Sequence, residues 1–254
     1  MRIDEYIEYL RTVRRRGPGT LRQYRSVLRE FSRFPLNERG FHEYLRSIST
    51  NSPRTQQMKL SVVKGYLEWL YERGRIKGKR FWVEAQYPKE KALPHYLTRE
   101  ELRRFFEVID DPYFRALFRL LVNTGMRISE LLKLEESDVE IVGETARIRI
   151  RGKGSKERIV RVSREIVEEA IREGVFDKKV SARTVQRRMK VYLKRAGIER
   201  KLTPHSLRHT FAIILMESGV PLNKIQAILG HESISTTSIY LKIVGEGESL
   251  PKII

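Results

Sequence analysis

One stretch decides the fold class: ARIRIRGKGSKERIVRV, residues 146–162. Residues 146–151 alternate strictly between apolar and basic side chains, which is typical of a half-buried strand. Residues 152–155 form a glycine-rich turn, and residues 158–162 are the return strand of an antiparallel hairpin. Residues 139–142 are predicted to add a third strand. The sequence therefore predicts a small antiparallel β-sheet.

Helical periodicity dominates the rest of the chain. The N-terminal third contains amphipathic segments over residues 3–13, 20–31, 41–48 and 53–70. The second is predicted to begin with Thr20 as its cap, and the fourth with Ser52 as the cap and Pro53 at the first helical position. Further helices are predicted to begin at Ser163, Ser181 and Pro221. The fold class is therefore mainly α with a small antiparallel β-sheet.

A break in the pattern divides the chain. Residues 87–94, YPKEKALP, interrupt the periodicity with two prolines and a cluster of charges. Thr98 and Glu101 then have the spacing of a helix-capping box, so a new folding unit begins there. We expect an N-terminal helical domain over residues 1–88, a linker over 89–97, and a mixed α/β domain over 98–254 with a short tail from about residue 243.

The charge of the chain predicts a polyanionic partner. The 254 residues include 51 Lys and Arg against 32 Asp and Glu, a net charge of +19. Residues 1–93 hold 21 basic and 10 acidic residues, a net of +11, and residues 94–254 hold 30 and 22, a net of +8. Heat-adapted proteins also carry many charges, but that does not explain the imbalance in sign. Both halves are therefore expected to face nucleic acid.

Composition also excludes several classes. The chain has no Cys, which removes disulfide frameworks, thiol catalysis and Cys-based zinc sites. It has no apolar run of the roughly 20 residues that a membrane-spanning helix needs and no signal-peptide core after Met1. We therefore expect a cytoplasmic protein that binds nucleic acid and does not bind membranes.

Two segments place a cation beside a turn. In TGMRISEL, residues 124–131, a helix is predicted to end at Gly125, and Arg127 follows in the corner. An arginine there can bind two phosphate oxygens, or it can pair on the surface with Glu130. In GKGSK, residues 152–156, Lys153 can donate a proton to a leaving oxygen, or the segment can be a solvated turn.

Two further segments place polar side chains at helix ends. In TPHSLRHT, residues 203–210, Thr203 is predicted to cap a helix whose positive end carries His205 and Arg208. His205 and His209 are four residues apart, but without Cys or an HExxH frame a metal pair is disfavoured. In LGHESISTTSIY, residues 229–240, Gly230 closes a helix ahead of His231 and Tyr240.

Taken together, the four segments predict a site for phosphoryl transfer. Their arginines, histidines and lysine are complementary to a pentavalent phosphorus with charged non-bridging oxygens. The same positive field would lower the pKa of a tyrosine and make it an oxygen nucleophile. Such a site needs neither a metal nor a nucleotide.

In their order, TGMRISEL, GKGSKER, TPHSLRHTFA and LGHESISTTSIY resemble the motifs of the tyrosine recombinases, the phage integrase family, and are most similar to the Xer type. The separation of nine residues between His231 and Tyr240 fits the family as well. The resemblance covers most of residues 94–254, while the N-terminal helices resemble the family's core-binding domain by pattern only.

The resemblance implies a role for six residues. Tyr240 attacks a DNA phosphodiester, which gives a 3′-phosphotyrosyl enzyme and a free 5′-hydroxyl. Lys153 is the general acid for the departing oxygen, ahead of Lys156, and His205 manages the tyrosine proton. The scissile phosphate is bound by Arg127, Arg208 and His231.

The resemblance also implies partners. Four protomers would act on two double-stranded DNA sites through a Holliday junction, without metal, ATP or other cofactor. Leu250 to Ile254 would dock on a neighbouring protomer, and the helix from Ser181 would contact the DNA backbone through Arg183, Arg187 and Lys190. High charge, no Cys and abundant Arg favour a thermophilic source, an archaeon included.

Several functions stay open at this point. We expect a Xer-like recombinase that resolves chromosome dimers, since no arm-binding domain of the larger phage integrases precedes the helices. The alternatives are a plasmid or viral integrase with the same chemistry, a type IB topoisomerase, and a non-catalytic DNA-binding protein on this scaffold. RNA binding has no motif in its support.

Overall fold

The computed structural model describes residues 2–87, 94–152, 157–177 and 180–230. The chain divides into two compact units, Met1–Ala92 and Leu93–Ile254. Each unit has a hydrophobic core of its own. No helix in the described ranges is long and apolar enough to cross a membrane.

Within residues 2–87 the first unit is helical. Its helices are α1 (Ile3–Thr12), α2 (Pro18–Phe31), α3 (Glu38–Ser47) and α4 (Pro53–Glu72). Ser52 caps α4, as predicted: its Oγ accepts a hydrogen bond from the Thr55 amide at 3.4 Å. The rings of Tyr6, Tyr66 and Trp69 meet in the core, with centroids of Tyr6 and Tyr66 5.3 Å apart. The predicted helical character is confirmed.

Two local predictions in this unit are wrong. α2 begins at Pro18, with Gly17 as its cap, so Thr20 lies inside the helix. The reason is that Pro at the first helical position is preorganised for the helix and lacks the amide that would need a partner. Val13 continues the apolar spacing of α1, yet it lies beyond the last helical residue and is 65% exposed.

Seven α-helices are described in the second unit. They are α5 (Arg99–Glu107), α6 (Pro112–Thr124), α7 (Ile128–Leu131), α8 (Arg164–Arg172), α9 (Ala182–Arg195), α10 (Pro204–Glu217) and α11 (Leu222–Leu229). The predicted capping box of α5 is present: the Glu101 amide donates to Thr98 Oγ1 at 3.2 Å, and the Thr98 amide donates to Glu101 Oε2 at 2.9 Å. Ser163 and Ser181 precede α8 and α9, as predicted.

The predicted three-stranded sheet is confirmed. Its strands β1 (Val139–Val142), β2 (Thr145–Arg151) and β3 (Glu157–Ser163) are antiparallel in the order β1-β2-β3. Ile148 of β2 lies opposite Val139 on one side and Val160 on the other. The alternation buries one face against α6 and α8, because successive side chains point to opposite faces.

The start of the second unit lies within the predicted linker. Residues 88–93 are outside the described residues. Leu97 is buried in the second core, and its amide donates to Thr210 Oγ1 at 2.9 Å. Residues 94–97 therefore lead into α5 as part of the second unit.

Candidate active site

Arg208 enters the core from the first turns of α10. As predicted, α10 begins after Thr203 with Pro204 at its first position. The Thr203 amide donates to Ser206 Oγ at 3.1 Å, which satisfies a donor at the helix start. This start directs Arg208 inward, where it is 1% exposed.

The guanidinium of Arg208 joins the ends of two other helices. Its Nη1 donates to the Gly125 carbonyl at 2.7 Å, and its Nη2 donates to the Leu229 carbonyl at 2.6 Å. These carbonyls lie at the C-terminal ends of α6 and α11, where the helix dipole leaves partial negative charge. The buried cation is thereby compensated. Arg127 follows two residues after the first carbonyl, and His231 two residues after the second.

Gly125 permits the approach of these elements. It ends α6 in the left-handed conformation, at φ 61°, and its amide donates to the Leu121 carbonyl at 3.0 Å. A Cβ at this position would lie 2.3 Å from Cδ1 of Phe211 and 2.8 Å from Cδ2 of Leu229. Only glycine therefore fits both the conformation and the space.

Arg127 starts the short helix α7. Its amide donates to Glu130 Oε2 and its Nη1 donates to Glu130 Oε1, both at 2.8 Å. The pairing with Glu130 that the sequence left open is thus present. The side chain of Arg127 is nevertheless 40% exposed. The ion pair orients the guanidinium without burying it, so a phosphate can reach it.

Glu130 is a buried carboxylate that accepts four hydrogen bonds. Besides the two from Arg127, Arg158 donates from Nη1 to Oε1 at 3.1 Å and from Nη2 to Oε2 at 2.7 Å. Burial alone would raise the pKa of Glu130, but hydrogen bonds from Arg158 and from the amide and side chain of Arg127, with the charge of Arg158, lower it to about 2. Glu130 is therefore ionised at neutral pH.

The two histidines of α10 contact each other. The ring centroids of His205 and His209 are 4.6 Å apart, edge to face, with His205 exposed and His209 half-buried. In the described part of the chain, no group of three or more His, Cys, Asp and Glu side chains is arranged to hold a metal ion. His205 lies exposed on the first turn of α10.

The structure places three of the six predicted site residues. Arg127 and Arg208 are brought to the same end of α6, and His205 lies one turn before Arg208. Lys153, with its alternative Lys156, and His231 and Tyr240 lie outside the described residues.

Sequence reasoning missed Arg158. Its signal was available: in the alternation of β3, Arg158 shares a face with Val160 and Val162, which are buried. A cation on the apolar face of a strand needs a buried partner. Glu130, considered only as a partner of Arg127, is that partner.

Comparison with known proteins establishes the family of the chain. Residues 95–245 match the sequence profile of the phage integrase family. The tyrosine recombinase XerC of Thermodesulfovibrio yellowstonii is 31% identical over 95% of this chain and 91% of its own length. The chain belongs to this family and is a Xer-type tyrosine recombinase. The tyrosine recombinase XerA of Thermococcus onnurineus is 34% identical over 96% of the chain and 91% of its own length.

The fold is also shared with more distant relatives. A lambda integrase dimer bound to a COC′ core site has a TM-score of 0.82 at 19% identity, covering 99% of this chain and 98% of that one. The two relatives described first, at 31% and 34% identity, both carry Xer names. The Xer interpretation is therefore favoured over the plasmid or viral integrase.

Replacing Gly125 with Ala should destabilise the second unit by about 2–4 kcal/mol. The new Cβ must displace Phe211 and Leu229 while the backbone keeps a left-handed conformation. Urea denaturation measures the loss. Gly143→Ala is the matched control, because Gly143 has φ 59° but nothing within 4 Å of a Cβ. Equal losses in the two variants would contradict the packing argument.

The stability contributed by Glu130 should depend on pH. Because folding lowers its pKa from 4.5 to about 2, the contribution is complete above pH 4.5 and is lost as the pH falls toward 2. Urea denaturation at several pH values should show Glu130→Gln less stable than the parent by about 3 kcal/mol at pH 6, with the gap narrowing below pH 4.

Glu140→Gln serves as the control, since Glu140 is exposed on β1. A gap for Glu130→Gln that stays constant from pH 6 to pH 3 would show that the charge of Glu130 is not the stabilising feature.

Proposed function

We propose that the protein is a site-specific DNA recombinase that cuts and rejoins strands through a 3′-phosphotyrosyl intermediate and a Holliday junction. The observation that carries the proposal is the convergence of the α6, α10 and α11 ends at Arg208, with the exposed guanidinium of Arg127 beside them. This arrangement gathers positive charge where a phosphodiester can bind.

The proposed reaction exchanges one phosphodiester for another. The Tyr240 oxygen bonds to phosphorus, the bond from phosphorus to the 5′-oxygen breaks, and the tyrosine proton passes to His205 or solvent. Lys153 gives a proton to the departing 5′-oxygen. Attack by the 5′-hydroxyl of a partner strand then reverses the steps. Since the bond energy is kept in the phosphotyrosine, the exchange needs no ATP.

Two arginines would stabilise the charge on the non-bridging oxygens. Arg127 is accessible in the protein without DNA, whereas Arg208 is buried and hydrogen-bonded to carbonyls. A phosphate oxygen is a stronger acceptor than a carbonyl, so Arg208 can exchange one carbonyl for the phosphate when DNA binds. His231, next after Gly230, would add a hydrogen bond from the end of α11.

Basic helix faces in both units would hold the duplex. α2 carries three arginines at helical spacing, and together with Arg33, two residues beyond the end of the helix, they line one groove: Arg22, Arg25 and Arg29. Of these, Arg25 pairs with Asp4 at 3.1 Å. In the second unit, Arg183, Arg187 and Lys190 are exposed on α9, as the DNA-contact prediction requires.

The proposed biological role is supported by the Xer similarity. We propose that four protomers act on two double-stranded sites, with Leu250 to Ile254 of each docking on a neighbour. The reaction would resolve chromosome dimers in the cytoplasm, without metal or other cofactor. Residues 1–88 would be the core-binding domain and residues 98–254 the catalytic domain.

A nicked suicide duplex tests the chemistry. Incubated in EDTA without ATP with fragments of the source genome, the protein should form a covalent DNA adduct, and mass spectrometry should find the DNA on Tyr240. Tyr240→Phe should abolish the adduct while DNA affinity persists, because only the nucleophile is removed. Tyr96→Phe, a half-buried tyrosine of the same unit, is the control and should retain the adduct.

Tight binding without any adduct would indicate a non-catalytic DNA-binding protein. An adduct on another residue would refute the assignment of Tyr240.

The arginine-lined groove at α2 should contribute to DNA binding through phosphate contacts. Changing Arg22, Arg29 and Arg33 to Ala should weaken DNA binding. It should also reduce the magnitude of the slope of log K against log salt by about 2–3, because fewer counterions are released when fewer phosphates are contacted. Fluorescence anisotropy at several salt concentrations measures the slope. Arg103→Ala, which removes a cation already paired with Glu100 and Glu107, should leave it unchanged. An unaltered slope in the triple variant would exclude α2 from the interface.

A further inference from the structure

Arg158 is a cation on the core-facing side of the sheet. It is the second residue of β3, lies opposite Ile150 and has a side chain 12% exposed. An arginine is always charged, so its burial requires acceptors for its donors. The described structure supplies three, and they come from two different elements.

Two acceptors belong to Glu130 and the third to α11. The carboxylate of Glu130 accepts both terminal nitrogens, and the Ile228 carbonyl accepts from Nε at 2.9 Å. Gly230 lies against the same side chain: a Cβ there would be 3.2 Å from Cδ of Arg158. Arg158 therefore fills the space between α7 and the end of α11.

Each contact leads to a segment that the proposed reaction uses. Glu130 also holds the amide and the guanidinium of Arg127. Ile228 lies three residues before His231, and β3 begins four residues after Lys153 in the sequence. A shift of Arg158 would therefore act on Arg127 through Glu130 and on the end of α11 through Ile228.

Charge balance supports the same conclusion. Two arginines surround one carboxylate, so the group of Arg127, Glu130 and Arg158 has a net charge of +1. Glu130 accepts four hydrogen bonds, which is about the full capacity of a carboxylate. Its orientation is therefore fixed by Arg158 as much as by Arg127.

We propose that Arg158 is a positioning residue for strand cleavage: through Glu130 it orients the guanidinium of Arg127 toward the scissile phosphate, and through Ile228 it fixes the end of α11. The proposal rests on the proposed recombinase function. Arg158 itself does not contact the phosphate; it acts through the residues that do.

Arg158→Lys is the test variant. Lysine keeps the positive charge but lacks the planar fork that meets both carboxylate oxygens. We expect DNA affinity within about twofold of the parent and single-turnover cleavage slower by about 10- to 100-fold, as small misplacements of catalytic groups produce. Arg119→Lys is the matched control, since Arg119 pairs with Glu165 and Glu169 of α8 and with neither Glu130 nor α11, and it should cleave at the parent rate.

A neutral substrate separates positioning from general structural damage. A scissile methylphosphonate is neutral, and its transition state carries one negative charge fewer than that of the phosphodiester, so its cleavage depends less on a correctly placed cation. The defect of Arg158→Lys should fall below about threefold on this substrate, because the proposed fault lies in the placement of Arg127. A defect of equal size on both substrates would overturn the proposal, and so would parent-like cleavage of the ordinary phosphate.

Glu130→Gln keeps the test valid if the lysine variant does not fold. Glutamine retains the volume and removes the charge that holds Arg127, so the same substrate-dependent defect is expected. In a double variant that folds, the two defects should not add, because both act through one carboxylate. Additive defects would refute the route through Glu130. Absence of any adduct from the parent protein would instead refute the recombinase function itself.

Discussion

The site depends on one buried cation. Arg208 is held in the core by the carbonyls that end α6 and α11, and these hydrogen bonds join three helix ends at one point. Without a compensating acceptor, burial of a guanidinium would be strongly unfavourable, so the helix ends must stay where they are. The turn that carries Arg127 and the segment that begins with His231 leave from those ends. The fold thus brings Arg127 and Arg208, which are far apart in sequence, to the same end of α6.

A second buried arginine, Arg158, also joins separate elements through its hydrogen bonds. Arg158 satisfies its donors with Glu130 and the Ile228 carbonyl, so α11 is held at two successive carbonyls, Ile228 by Arg158 and Leu229 by Arg208. The depressed pKa of Glu130 keeps its carboxylate charged between Arg158 and Arg127. Arg127 and Arg158 are therefore held in a fixed arrangement by Glu130 in the protein without DNA, and preorganised electrostatics of this kind lowers a reaction barrier.

Local signals in the sequence predicted most of the fold. Alternation gave the strands, and the caps at Ser52, Thr98 and Thr203 placed helix starts, because these features depend on neighbouring residues only. Thr20 failed as a cap because Pro18 competes more strongly for the helix start. The hydrogen bonds of Arg208 and Arg158 could not be predicted from local sequence. The partners of Arg208 lie 83 and 21 residues away, and those of Arg158 lie 28 and 70 residues away. The position of Arg158 on the same face of β3 as the buried Val160 and Val162 was the local sign of these hydrogen bonds.

Hydrogen exchange in Arg208→Lys tests most directly whether Arg208 joins the helix ends. The amides of Gly125 and Gly230 close the last turns of α6 and α11 on the carbonyls of Leu121 and Ala227. If Arg208 holds both ends, both amides should exchange faster in the variant, by at least about tenfold, while core amides of the first unit stay protected. Unchanged exchange at Gly125 and Gly230 in a folded variant would contradict the account.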